Sequence, residues 1–198
     1  MHIKKIYGYI DTVYLLSHST KGRLDVYDPP TVPSTNYKHW VANLDPKTCI
    51  ECKTKNGQVY EMQEEVIPAP PLHPNCRCEI EKMRAVVAGS ATKDGVNGAD
   101  FWLKHFGILP DYYVTEREAM NSGWDWGKPP RRYVPGKMIT MGIYKNKDGH
   151  LPQKPVRIWY EADINYYEGK RNTHRILWSN DGLIFVTYDH YHTFYEII

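Results

Sequence analysis

The stretch Arg157-Ile158-Trp159-Tyr160-Glu161-Ala162-Asp163-Ile164-Asn165-Tyr166 decides the fold class. Ile158, Tyr160, Ala162, Ile164 and Tyr166 alternate with Arg157, Trp159, Glu161, Asp163 and Asn165. Successive side chains of a strand point to opposite faces, so the run predicts a strand with one buried and one polar face. Further strands are predicted at 176–179 and 183–188, joined by Asn180-Asp181-Gly182, and at 191–197 after Asp189-His190. Upstream, Ala99, Leu103 and Phe106 share one helical face with Gly107 as the stop, and Thr115-Glu116-Arg117-Glu118 is a capping box opening a helix that ends at Gly123. Helices followed by sequential strands with short turns predict an α+β domain, its N-terminal helices packed on an antiparallel sheet.

The rest of the chain divides by composition. Residues 1–37 form an N-terminal segment of unassigned role that runs into Asp28-Pro29-Pro30-Thr31-Val32-Pro33, residues 38–84 hold all four cysteines, 85–97 have the small polar composition of a linker, and 98–198 form the α+β domain. With 198 residues, 41% of them hydrophobic and 24% charged, the chain is globular, with length for one sizeable core or two small ones. No apolar run approaches the roughly 18 to 20 residues of a membrane helix, so no membrane span is expected. Asp11 interrupts what would have to be a clean apolar stretch after the basic start Met1-His2-Ile3-Lys4-Lys5, so no secretion signal is read. Synthesis in the cytoplasm is expected. Net charge is only +2, yet residues 128–175 carry eleven Lys and Arg against four Asp and Glu. Such a basic zone suits a phosphate-bearing partner.

Glu161, Arg171, Arg175 and His190 are the groups that RNA cleavage without a metal requires. A base takes the 2′-hydroxyl proton, an acid protonates the departing 5′-oxygen, and cations hold the charge on phosphorus. Ordinary values of about 4.3 for Glu and about 6.5 for His suit the two to opposite roles near neutrality.

Three runs carry a resemblance: Trp159-Tyr160-Glu161-Ala162-Asp163-Ile164-Asn165-Tyr166, then Gly169-Lys170-Arg171-Asn172 with Arg175-Ile176-Leu177, then Tyr188-Asp189-His190-Tyr191-His192-Thr193-Phe194. They closely resemble the barnase-like guanyl-specific ribonucleases of bacteria, and the likeness runs colinearly back to Leu109-Pro110-Asp111-Tyr112-Tyr113. The resemblance implies Glu161 as general base, His190 as general acid, Arg171 and Arg175 as phosphate ligands and Tyr191 beside the acid. It also implies that Lys145-Asn146-Lys147-Asp148 is the loop that reads guanine. RNA is the implied substrate, no cofactor is needed for catalysis, and a barstar-like acidic inhibitor is the implied partner. The chain departs from that pattern at Glu116, where the family has a lysine, and at Gly142, where it has a buried aspartate. Lys128, Arg131 or Arg132 is the expected substitute cation. The rival expectation is a phage-derived virion or RNA-binding protein whose ribonuclease-like domain no longer cuts.

Cys49-x-x-Cys52 followed by Cys76-x-Cys78 supplies four thiolates in two close pairs, with His73 as a substitute ligand. Structural zinc is the expected occupant, with disulfides and free thiols as alternatives. The words Trp40-Val41-Ala42-Asn43-Leu44-Asp45-Pro46 and His73-Pro74-Asn75-Cys76-Arg77-Cys78 resemble the C-terminal module of phage head-morphogenesis (minor head) proteins. That resemblance implies an attachment module rather than a second active site.

Overall fold

The computed structural model describes residues 27–198, so all but the end of the N-terminal segment lies outside the described residues. In chain order the elements are β1 (Val32–Val41), α1 (Ile50–Lys55), β2 (Val59–Glu61), β3 (Glu79–Val86), α2 (Ala99–Phe106), β4 (Tyr113–Thr115), α3 (Glu116–Asn121), β5 (Met138–Tyr144), β6 (Trp159–Asp163), β7 (Arg175–Ser179), β8 (Ile184–Thr187) and β9 (Tyr195–Ile197). The fold is α+β. Its strands form one nine-stranded sheet in the order β2-β1-β3-β9-β8-β7-β6-β5-β4. The sheet is mixed rather than antiparallel, because β3 runs parallel to β9 and β4 parallel to β5.

Local chemistry explains the helix ends. Thr115 Oγ1 accepts from the Glu118 backbone N–H at 3.2 Å while Glu118 Oε2 accepts from the Thr115 N–H at 2.7 Å, which satisfies donors that have no partner inside α3. Gly107 ends α2 at φ +71°, the left-handed conformation that glycine adopts without steric penalty. Ala99 and Leu103 of α2 share a buried cluster with Ala162, Ile164, Ile176 and Val186 of the sheet, whereas Phe106, expected on the same face, is exposed.

The strand β6 departs from its expected two-sided character. Trp159, Asp163 and Asn165, read as polar-face residues, are all buried. Trp159 packs with Leu151, Leu177, Phe185 and Phe194, and with Tyr37 and Met83 from upstream of the ribonuclease-like half. The face is covered by residues far upstream, a contact that period-two alternation does not encode. The strand β9 is also shorter than expected, since His190 and Tyr191 take φ values of +59° and +72° that break extended pairing. Their turn is held by Asp189, whose Oδ1 accepts from Thr187 Oγ1 and from the N–H groups of His192 and Thr193.

The stretch 85–97 is folded onto the sheet. Ala91 and Thr92 are buried, and the fully buried Asp100 carboxylate accepts from the N–H groups of Gly89 and Ala91 and from Thr92 Oγ1 at 2.7 to 2.9 Å. Ala85 and Val86 of β3 pair with Glu196 and Ile197 of β9. Beside this seam, Glu196 accepts from Ser34 Oγ at 2.5 Å and from Asn36 Nδ2 at 2.6 Å. A buried carboxylate needs such donors, because charge removed from water is costly unless compensated. Among the described residues no helix is long and apolar enough to cross a membrane.

Candidate active site

Glu161 sits half-buried at the middle of β6, opposite Leu177 of β7. Its Oε2 accepts from Tyr191 Oη at 2.7 Å. The Tyr191 ring stacks on Tyr144 of β5 with centroids 5.3 Å apart and planes at 21°. Burial, then the Glu161 charge, pushes the Tyr144 hydroxyl up to about 12; burial and the bond to Glu161 raise Tyr191 as well. Both phenols therefore remain neutral, and Tyr191 donates to the carboxylate.

His190 lies in the left-handed turn after β8, its ring 4.8 Å from that of Tyr191. Desolvation, then the charges of Arg175 and His192, hold its imidazole below the ordinary 6.5, while Glu161 pulls the other way and Arg171 adds a smaller lowering. Tyr191, bonded to Glu161 and with its ring beside that of His190, links the carboxylate and the imidazole.

The two arginines converge on Asp163. Arg171 donates from Nε and Nη2 to its two carboxylate oxygens at 2.7 and 2.6 Å, and Arg175 Nη1 lies 3.1 Å from Oδ1. Arg175 Nη1 also donates to the carbonyls of Asn172 and His174. Asp163 is 1% exposed, so this is a buried anion clamping two cations in a fixed geometry. The indole of Trp126 lies 5.4 Å from Arg171 Cζ, in cation–π range. Neither Asp163 nor Trp126 was singled out from sequence. The available signal was an aspartate on the same strand face as Glu161, shortly before two arginines.

In the loop after β5, Lys145, Lys147 and Asp148 are exposed, whereas Asn146 is buried at φ +44°. Asn146 spends its side chain on the loop itself, donating to the Leu151 carbonyl at 2.7 Å and accepting from the Leu151 N–H at 3.0 Å. Its side chain is a brace, which leaves the backbone and the flanking side chains to face a ligand. Two of the three expected substitute cations have other partners: Lys128 pairs with Asp125 at 3.6 Å, and Arg131 bonds the Tyr167 carbonyl and lies 3.8 Å from Glu168. Arg132 is exposed, and Glu116 opens α3.

The cysteines form a second cluster. His73 Nε2 lies 3.3 Å from Cys49 Sγ and 3.4 Å from Cys52 Sγ, and Cys52 Sγ lies 3.7 Å from Cys76 Sγ. The potential donors Cys49, Cys52 and His73 form one group and Cys52, Cys76 and Cys78 another, so Cys52 belongs to both. His73 Nδ1 is 2.9 Å from the Pro74 carbonyl, which can only accept, so Nδ1 carries a proton and Nε2 is the ring atom that faces the sulfurs. Burial and the surrounding thiols push the Cys52 thiol up, while backbone N–H bonds, first from Cys78, bring Cys76 down to about 7. The 3.7 Å sulfur separation is close to the edge of a tetrahedron built on zinc–sulfur bonds of about 2.3 Å.

A sheet that gathers a carboxylate, an imidazole and two guanidiniums has the composition of an acid–base phosphoryl-transfer site, and known proteins agree in kind. Residues 108–198 match the ribonuclease family, and residues 19–81 match the family described as Phage Mu protein F like protein. A ribonuclease of Heyndrickxia coagulans is 44% identical over 107 residues, an alignment covering 54% of this chain and 95% of that relative. Ribonucleases of Bacillus intermedius and Bacillus pumilus are each 44% identical over 107 residues, with 64% of their length covered. The chain belongs to the ribonuclease family, and its N-terminal half carries a phage Mu F-like region.

Proposed function

We propose that this chain is an endoribonuclease toxin that cleaves single-stranded RNA after guanosine. Glu161 takes the 2′-hydroxyl proton, the 2′-oxygen attacks the adjacent phosphorus, and the bond to the 5′-oxygen breaks as His190 protonates it, leaving a 2′,3′-cyclic phosphate. Water then opens the ring with the two roles exchanged. Arg171 and Arg175, already fixed by Asp163, balance the charge that grows on the phosphoryl oxygens. Tyr191 holds the carboxylate of Glu161 in place, and Lys145, Asn146, Lys147 and Asp148 form the guanine-reading loop. The observation that supports this reading is Tyr191, whose hydroxyl bonds Glu161 at 2.7 Å and whose ring lies 4.8 Å from that of His190, with Arg171 and Arg175 held together on Asp163 from the same strand as Glu161.

A guanosine-containing oligonucleotide incubated with the protein and EDTA should give fragments ending in guanosine 2′,3′-cyclic phosphate. Absence of product between about pH 5 and pH 8, the span over which an imidazole titrates, would instead favour a binding protein. The same cationic site accounts for the expected barstar-like acidic inhibitor, since a complementary anionic surface would cover Arg171, Arg175 and His190.

The cysteine cluster of the module at 38–84 is proposed to hold structural zinc through Cys49, Cys52, Cys76 and Cys78, with His73 as the fifth donor in range. The cation would relieve the crowding of sulfur around Cys52 and cross-link three chain segments that have little core of their own. Elemental analysis of the purified protein should find one zinc per chain. Cys52→Ser should abolish it, because Cys52 belongs to both donor groups; zinc retained at full stoichiometry in that variant would refute the site.

A further inference from the structure

Among the described residues, the phage-type module meets the ribonuclease site around Gly57 and Val59. Gly57, in the left-handed turn before β2, lies so close to His150 that a Cβ there would stand 3.1 Å from both Cδ2 and Nε2 of the ring. Beside it, the Val59 N–H donates to the Gly149 carbonyl at 3.4 Å. Gly149 and His150 directly follow the loop of Lys145 to Asp148, and Gly149 N–H donates to the Asn146 carbonyl. On its other side His150 Nδ1 lies 3.2 Å from the carbonyl oxygen of Tyr191. A carbonyl can only accept, so Nδ1 carries the proton and donates. Edge contact with Phe194, at a centroid distance of 6.1 Å, completes the ring's seat.

Tyr191 is the residue whose hydroxyl holds Glu161, and it follows His190 in a turn where both have positive φ. Non-glycine residues persist in that conformation only where their surroundings over-determine it. The His150 ring therefore touches the cysteine-bearing module and the strained turn that carries the proposed acid, while its backbone directly follows the base-reading loop.

We infer that the phage-type module is a positioning element of the ribonuclease site, acting through His150, which transmits the packing of Gly57 to the turn of His190 and Tyr191. The inference rests on the catalytic reading above. His150 touches neither substrate nor reacting atoms; it is a positioning residue.

The test uses the full chain. His150→Ala removes the donor, His150→Asn keeps a donor near the place of Nδ1, and Gly57→Ala pushes on the ring while leaving it chemically intact. For a guanosine-containing substrate, His150→Ala should lower kcat/KM by up to about 10²-fold, the scale set by sub-ångström to 1 Å misplacement of a catalytic group. The loss should appear in kcat through the His190 turn and in KM through the loop, and His150→Asn should restore most of the kcat component. A second readout does not need activity: amide hydrogen exchange at 188–193 should quicken in Gly57→Ala and His150→Ala, while exchange in α2 and β7 stays at the parent rate.

Unchanged kinetics and unchanged exchange in folded His150→Ala protein would overturn the inference. So would equal losses in the Ala and Asn variants, which would remove the donor from the argument. Failure of the underlying reading looks different: Glu161→Ala would then cut RNA as fast as the parent, whatever the exchange data showed.

Discussion

Glu161→Ala and His190→Ala are each expected to reduce kcat/KM on a guanosine-containing oligonucleotide by about 10² to 10⁴, the usual worth of a general base or acid. The double variant should lose much less than the product of the two, because the groups act in one proton relay and removing either disables it. The pH profile gives an independent check on His190. In the first step the imidazole must be protonated, and desolvation together with Arg175 holds its pKa below the ordinary 6.5. The acid form is lost as pH rises through that lowered value, so the alkaline limb of kcat/KM in the cyclising step should fall below pH 6.5. An alkaline limb unmoved in His190→Ala, or single variants as fast as the parent, would remove His190 from the role of acid.

The second large effect concerns folding. Asp163→Ala should destabilise the protein by about 3 to 5 kcal/mol, since it strands two buried guanidiniums without an anion. The side chains of Arg171 and Arg175 are only 14% and 6% exposed, so water cannot replace the carboxylate. Asp163→Asn should fall between the two, keeping an acceptor for Arg171 but not the charge. Urea unfolding followed by tryptophan fluorescence measures this directly. A change under about 1 kcal/mol would mean that the triad is solvated like a surface pair. Activity of Asp163→Ala, assayed where it is still folded, should also fall, because the arginines lose the anchor that aims them at phosphate.

Much of the ribonuclease half was legible because its signals are local. The capping box at Thr115 and Glu118, the stop at Gly107 and the turn at Asn180-Asp181-Gly182 each depend on neighbours within a few residues. The faces of β6 were legible only on one side. Alternation marks Ala162 and Ile164 as buried, but it also assigns Trp159 and Asp163 to solvent. What buries Trp159 is Tyr37 and Met83, and what buries Asp163 is a pair of arginines from the following loop and strand. Neither contact follows from periodicity, which reports the chain's own backbone and nothing of what later packs against it. The same limit hid His150. Its partners Gly57 and Tyr191 lie far away on either side in sequence, and a lone histidine after a glycine carries no motif. The cysteines were legible because metal-type spacing is itself local, although His73 enters the cluster more closely than spacing suggests.

The place of β3 in the sheet bears on how this chain stays out of trouble with its own copies. Without β3, the three-residue strand β9 would form a rim, and the backbone groups that now meet Ala85 and Val86 would stand open beside the apolar side chain of Ile197. Open rims of this kind are templates for strand addition by another molecule. The long strands β1 and β3, with β2 short at the outer margin, move that rim away from the ribonuclease half and end it on a strand of only three residues. The phage-type segment therefore covers the edge that β9 would otherwise present.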